Sequence, residues 1–263
     1  MLKRCVCIVL GFVVAPTAAW AAAWTLPEGS GQVFTTFTAS SATSSFDGSG
    51  LTPAQRYNKD ELAVLLEYGL TDKFTLILDP GLQHVDIAEP NGGERSGLGY
   101  TEFGGRYRLF ANQDWVLSGQ ATLRVPGTVD TSNPAAIGYT DLEADFRALL
   151  GHSFTLGTMP AFTDLQVAER TRSAGAPSEF RVDGTFGLQV LPRWLLLAQS
   201  FNVISEGAGS PIYGGSYEYY KAQLSAVYSL TPTWSVQAGA YTTYAGRNAL
   251  QENGLIFSVW HQF

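Results

Sequence analysis

The chain ends in a segment, residues 255–263, that reads as a β-strand up to its final residue. Leu255, Phe257 and Val259 alternate with polar residues such as Ser258, and a repeat of two residues is the pattern of a strand with one apolar face. A strand at the open edge of a sheet exposes unpaired backbone groups, whereas a sheet closed into a barrel has no edge. The terminal strand therefore predicts an all-β chain that closes into a barrel.

The composition favours a barrel that spans a membrane. Aromatic residues make up 13% of the chain and glycine is abundant, with 28 residues. No apolar run beyond the first twenty residues is long enough for a transmembrane helix. Since only helices and closed barrels satisfy their backbone hydrogen bonds in lipid, a membrane form of this chain is a barrel. The final aromatic residue, Phe263, resembles the insertion signal that the barrel assembly machinery reads in outer-membrane proteins.

The amino-terminal residues have the pattern of a secretory signal peptide. Lys3 and Arg4 precede an apolar run, residues 6–15, which is too short to span a bilayer. Small residues follow, and they predict cleavage after Ala21 or, as the alternative, after Ala23. The predicted division of the chain is a signal peptide at 1–21, an N-terminal periplasmic segment at 22–31 and a barrel at 32–263.

Several kinds of chemistry are disfavoured. Both cysteines, Cys5 and Cys7, lie in the predicted signal peptide, and the three histidines are dispersed, so we expect no metal site and no cofactor. The chain has 23 acidic residues against 16 basic ones, a balance that disfavours nucleic-acid binding. His84 is the one candidate base near the outer strand ends, and no serine follows it closely. We therefore expect no enzyme activity.

Short turns alternate with long stretches rich in Gly, Ser and Pro, which predicts about twelve antiparallel strands. The strands are predicted to start near Gln32, Asp60, Lys73, Gly99, Trp115, Tyr139, Ala161, Phe180, Trp194, Tyr217, Trp234 and Gly254. The long stretches lie at 43–58, 88–97, 127–138, 172–178, 207–216 and 246–253. An even count places both termini on the short-turn side, as in outer-membrane barrels. A soluble β-sandwich has similar strand spacing, but it does not explain the aromatic residues beside the turns.

Alternate residues along most strands form a polar face that we expect to line the lumen. In residues 115–126, for example, Leu117 and Leu123 oppose Gln120 and Arg124. The outward face is apolar because a charge in the bilayer is costly. The predicted lumen-lining residues, which we take as the candidate constriction, are Glu61, Glu67, Glu102, Arg106, Arg108, Arg124, Asp141, Glu143, Asp145, Arg147, Arg181, Asp183 and Lys221.

Two interpretations of these charges remain open on the sequence. They form either ion pairs that fill a narrow barrel and fix its register, or a charged constriction for a polar solute. On the second interpretation, glycines on the inward register, such as Gly104, Gly187 and Gly239, leave room for a path.

Short motifs carry a family resemblance. Residues 101–110, with the sequence Thr-Glu-Phe-Gly-Gly-Arg-Tyr-Arg-Leu-Phe, resemble a strand of barrel transporters named after phenol-degradation pathways. The start at 24–32 and the end at 245–263 together resemble the XagA-like outer-membrane proteins. This resemblance implies a link to exopolysaccharide and cell-surface processes, and it offers no catalytic residues.

Together these patterns predict a barrel in the outer membrane of a Gram-negative bacterium, in contact with lipid and lipopolysaccharide. The expected function is a channel or exporter for a small or linear polar solute such as a saccharide, with a periplasmic export partner. The alternative is a closed barrel that serves as a surface or assembly component through loops 43–58 and 207–216. Uptake of apolar aromatic compounds is a weaker alternative, because it requires an apolar lumen or a lateral opening.

Overall fold

The computed structural model describes residues 22–48, 50–90, 92–127, 132–136, 140–173, 175–209 and 215–263. The predicted signal peptide and Tyr139 lie outside these ranges. In the described part of the chain, the only helix is a 3-10 turn at Pro134–Ala136, and no helix is long and apolar enough to cross a membrane.

Twelve long strands form one closed antiparallel barrel. Each long strand pairs with the next long strand along the chain, and the first one, Gly31–Asp47, also pairs with the last one, Asn253–Gln262, which closes the ring. The prediction of an all-antiparallel barrel of about twelve strands is confirmed. The strands are β1 (Gly31–Asp47), β2 (Gly50–Thr71), β3 (Phe74–Ile87), β4 (Gly93–Ala111), β5 (Trp115–Val125), β6 (Glu143–Leu156), β7 (Met159–Arg172), β8 (Glu179–Leu191), β9 (Trp194–Ser205), β10 (Glu218–Ser229), β11 (Trp234–Arg247), the two-residue β12 (Ala249–Leu250) and β13 (Asn253–Gln262).

Three predicted loops are shorter than the sequence suggests. Most of 43–58 belongs to the β1–β2 hairpin, which continues past a bulge between Ala42 and Ser44. Half of 88–97 belongs to β4, and 246–253 contains β12. These residues are polar because the strands extend beyond the apolar belt, where both faces meet water. Polar composition therefore marked the end of the apolar belt and not the end of the strand.

The two faces of the wall differ sharply. Outward side chains such as Leu224 and Leu255 are 69% and 66% exposed, whereas inward Ser118 and Ser258 are fully buried. This alternation follows from the two-residue repeat of a strand, since a shift of one residue would place the apolar set inside. The outward face is the apolar belt of a membrane barrel.

The inward face is not polar along its whole length. Near the short turns it contains an apolar cluster in which Leu195, Leu197, Val227 and Trp260 are buried, with Phe34 and Phe162 packed against them. The Phe34 and Trp260 rings meet edge to face, with centroids 5.2 Å apart. The expectation of a polar lumen is therefore incomplete at this end, because side chains from opposite walls reach each other and pack.

Candidate functional site: the lumen and its N-terminal segment

The predicted lumen residues face inward, and most of them are ion-paired. Glu61 meets Lys59 at 2.6 Å, Glu67 meets Arg106 at 2.6 Å, and Lys221 pairs with Glu252. Arg108 lies opposite buried Ser118 in the β4–β5 register. Asp141 is buried but precedes β6, so it is not part of the strand in which it was predicted.

The remaining predicted charges belong to one continuous network. Arg124 bridges Glu102, at 3.1 Å, and Glu143, and Arg147 bridges Asp145, at 3.2 Å, and Asp183, at 2.7 Å. Residues of β7 and β8 join these pairs to one another. The network runs across strands β4 to β8 through Glu102, Arg124, Glu143, Asp145, Arg147, Arg170, Arg172, Glu179, Arg181 and Asp183.

Acidic and basic groups interleave in this network instead of segregating on separate walls. Asp145 is 1% exposed and contacts both Arg147 and Arg170, the latter at 3.0 Å. Glu143 is 3% exposed and meets Arg172 at 2.9 Å. Five carboxylates and five guanidinium groups thus neutralise one another, as expected for ion pairs that fill the barrel and fix its register. A role for these residues in solute selection stays a prediction.

Several members of the ionic lining were missed by the sequence reasoning, among them Lys59 on β2, the partner of Glu61. Arg170 and Arg172 lie on β7, Glu179 begins β8, and Glu252 precedes β13. The two arginines alternate on the inward register with Asp164 and Ala168, and that period-two signal was present in the sequence. In contrast, Glu252 lies in a loop, where no alternation marks the direction of a side chain.

The opposite wall is lined by amides and hydroxyls. Gln223 donates to Gln199 at 2.8 Å, and Gln237 donates to Ser225 at 2.8 Å. Further along, the hydroxyls of Thr36 and Ser258 lie 2.8 Å apart. The lumen therefore has its large ionic network on β4–β8, whereas β9–β13 and β1 are lined mostly by uncharged hydrogen-bonding groups, apart from the Lys221–Glu252 pair.

The segment that precedes β1 crosses the short-turn end of the barrel. It begins beside β7, where the Ala23 N–H donates to Asp164 Oδ2 at 2.6 Å. It ends beside β2, where the Gly29 N–H donates to the Gly69 carbonyl at 2.9 Å. Residues 22–30, here called the N-terminal segment, thus run inside the mouth from β7 to β2, past the strands between them.

Backbone groups of the N-terminal segment are held by inward side chains of successive strands. The Ser118 hydroxyl donates to the Ala23 carbonyl at 2.6 Å, and Arg106 donates to the Trp24 carbonyl at 3.1 Å. The Leu26 N–H donates to the Thr75 hydroxyl at 2.9 Å. Because buried backbone groups need hydrogen-bond partners, these polar wall residues form a specific binding site for the segment, here called its seat.

An apolar socket receives the first residues of the segment. Ala23 is fully buried against Val116 and Leu149, which are themselves inward and buried. The Trp24 ring meets the Phe162 ring edge to face, with centroids 6.3 Å apart. The Phe162 ring also occupies the space above Gly187, so that glycine does not leave room for a path, contrary to the expectation.

A substitution at Gly151 tests whether the position of Trp24 holds the N-terminal segment in place. A Cβ atom at this position would overlap ring atoms of Trp24 and would lie 2.8 Å from Val116 Cγ1. We expect Gly151→Ala to displace the N-terminal segment and to raise single-channel conductance in a planar bilayer. Gly119→Ala is the matched control, because its Cβ would meet only Leu109, at 3.8 Å. Equal conductance in the two variants would contradict the assignment of Trp24 as the anchor.

Comparison with known proteins supports the fold. No family model matches the chain, and no curated protein does, so no comparison bears on the XagA-like resemblance. Among solved structures, the COG4313 outer membrane channel from Pseudomonas putida F1 aligns with a TM-score of 0.74 and 17% identity, covering 92% of this chain and 98% of that one. The translocator domain of autotransporter NalP from Neisseria meningitidis aligns at 0.55 and 11% identity, covering 90% of each chain. The NanC porin aligns at 0.52 and 9% identity, covering 86% of this chain and 98% of that one. The chain therefore has the fold of outer-membrane β-barrels, including channels and porins.

Proposed function

We propose that the protein is an outer-membrane channel for small, uncharged polar solutes, and that its N-terminal segment acts as a gate. The observation that carries the proposal is the path of residues 22–30 across the short-turn mouth, which is the periplasmic side in an outer-membrane barrel. The segment is joined to the barrel at its β1 end, and its other end is held by hydrogen bonds and packing. It can leave its seat without unfolding a strand.

The lining favours a neutral polar solute over an ion. The acids and bases on β4–β8 neutralise one another, so they attract neither cations nor anions strongly. The amide groups of Gln199, Gln223 and Gln237 and the hydroxyl of Ser225 match the hydroxyls of a saccharide. This choice agrees with the exopolysaccharide link that the XagA-like resemblance implies, and a linear saccharide would require a periplasmic export partner. Outer-membrane lipid and lipopolysaccharide would surround the apolar belt, and the assembly machinery would read Phe263.

A reversible lock tests the gate. Ala23 and Ser118 are in contact through the hydrogen bond between them, and the predicted mature chain has no cysteine. In the double variant Ala23→Cys/Ser118→Cys, an oxidised bond would fix the segment in its seat. We expect proteoliposomes with the oxidised variant to swell far more slowly in small neutral sugars than wild type. Reduction should restore wild-type swelling.

Three other outcomes separate the alternatives. If the lock does not affect swelling, the result would support a channel but would exclude the N-terminal segment as its gate. Swelling in charged solutes but not in neutral sugars of equal size would overturn the solute class. A folded wild-type barrel that admits no solute, even when the segment is displaced by Gly151→Ala, would favour the closed surface or assembly component.

A further inference from the structure

A row of three side chains crosses the outer wall of the barrel at one height. In the antiparallel register, Asp60 on β2 pairs with His84 on β3, and His84 pairs with Ser96 on β4. His84 therefore lies between a carboxylate and a hydroxyl. The Ser96 Oγ atom is 2.8 Å from His84 Nδ1, so a tautomer with its proton on Nε2 accepts the serine proton. The sequence reasoning considered only serines close to His84, whereas the β3–β4 hairpin brings Ser96 to it.

The row lies at the boundary between the apolar belt and water. Directly below it the register places Leu62, Leu82 and Leu98, all of which are exposed on the outer face. Directly above it lie only polar and acidic residues, Asn58, Asp86 and Glu94. Acyl esters of membrane lipids occupy this boundary, with their chains in the apolar layer and their carbonyls near water. The height of the row on the wall thus matches the height of an ester bond.

The outer wall beside the row is concave. A groove of about 970 Å³ starts at Asp60 and His84 and extends across β1, β13 and β11 towards Leu224 on β10. The groove lies at the height of the row and on its water side, where its lining includes the small Ala39 and Ala240 and the polar Asn58 and Asp86. A groove at this height leaves space beside His84 for the polar part of a lipid whose acyl chains lie in the apolar layer below.

We propose that Ser96 and His84 form a hydrolytic site for acyl esters of outer-leaflet lipids, with Asp60 as a positioning carboxylate. The Ser96 Oγ atom attacks the ester carbonyl carbon, and its proton passes to His84 Nδ1. The carbon–oxygen bond to the alcohol then breaks, and His84 returns the proton to the leaving oxygen. Water attacks the acyl-serine with the same histidine as base, releasing a fatty acid and restoring Ser96. The reaction consumes one water and needs no oxidant or reductant.

The charge around the imidazole fits this role. Ser96 is exposed and His84 is about half-exposed, so a lipid ester reaches both. The Glu94 carboxylate lies 3.9 Å from His84 Nδ1, and Asp60 lies on the other side of His84 in the register. The imidazolium that forms when Ser96 attacks would thus face a carboxylate on each side. A serine and a histidine that serve only to hold the strands together would not act on an ester bound beside them.

The test measures acyl release and serine labelling on the refolded full-length mature protein. Mixed micelles that contain phosphatidylethanolamine or lipid A supply the ester, and a fluorophosphonate probe reports a nucleophilic serine. We expect fatty acid release by wild type, loss to background in Ser96→Ala, and a drop of roughly 100-fold or more in His84→Gln. The probe should label Ser96 in wild type and should fail to label it in His84→Gln. In Asp60→Asn, kcat should fall while KM stays unchanged, as expected for a positioning residue.

Ser200→Ala is the matched control. Ser200 is a serine of the outer wall on β9 that lies 3.1 Å from Asn202 and has no histidine partner. Release and labelling should be unaffected by its removal. Release that survives in Ser96→Ala, or an absence of both release and Ser96 labelling in folded wild type, would overturn the proposal. Neither result would bear on solute passage through the lumen, which the swelling experiment measures separately.

Discussion

A refolded chain that starts at Gly29 should conduct several times more current per channel than a chain that starts at Ala22. The shorter chain lacks the residues that cross the mouth from β7 towards β2, together with the Trp24 ring that fills the socket on β6 and β7. It keeps every strand, so the barrel itself should fold and insert. Single-channel recording of both chains in planar bilayers at equal salt measures the difference.

The control for this experiment removes a contact at the edge of the segment. The Thr25 hydroxyl donates to the Asp72 carbonyl at 2.8 Å in an exposed position. Thr25→Ala should leave conductance close to that of the Ala22 chain, because the buried seat of Ala23 and Trp24 is intact. If the chain that starts at Gly29 conducts no better than the Ala22 chain, then the narrowest point lies elsewhere. The apolar cluster around Leu197 and Trp260 would then be the next candidate for the narrowest point of the lumen, and smaller side chains there should raise conductance.

The barrel and the direction of its side chains were predictable because both depend on a repeat that is local in sequence. A two-residue period in one strand assigns each residue to a face without reference to any other strand. The predicted inward positions on β2, β4, β5, β6, β8 and β10 are accordingly inward in the structure. The lengths of β2 and β4 were not predictable in the same way, since their outer ends are polar on both faces.

Contacts between distant residues were beyond the reach of the sequence pattern. Whether Arg124 meets Glu143 or a different acid depends on the register between strands, which a single strand does not encode. The N-terminal segment has no periodicity at all, and Trp24 finds Phe162 more than a hundred residues away. His84 and Ser96 illustrate the same limit at shorter range, because the turn between them decides that they pair. The sequence therefore predicted the fold better than it predicted the contacts within the site.

The second large effect concerns the ionic wall of the lumen. Arg170→Met should lower the free energy of unfolding by about 3–5 kcal/mol, since it leaves buried acids with less compensating charge. Arg170 lies 3.0 Å from Asp145 and 3.8 Å from Glu143, and these carboxylates are almost wholly buried. Denaturant titration of the protein refolded into lipid vesicles measures the loss.

An exposed pair provides the comparison. Arg56 lies 3.6 Å from Asp86 on the outer face, and its side chain is 59% exposed. Because solvent screens such a pair, Arg56→Met should change stability by no more than about 1 kcal/mol. Equal losses in the two arginine variants would show that the lumen charges are as well solvated as the surface pair.

The double variant Arg170→Met/Asp145→Asn separates pairing from simple loss of a side chain. Asp145→Asn alone leaves Arg147 and Arg170 without their shared carboxylate, so it should destabilise the barrel as well. In the double variant Arg170 and the carboxylate of Asp145 are removed together, so neither is left without the other. Part of the stability lost in the single variants should then be recovered. Recovery would mean that the β4–β8 network holds the barrel together as a neutral unit. Strict additivity would mean instead that each charge acts alone, and the lumen would then present separate charges to a passing solute.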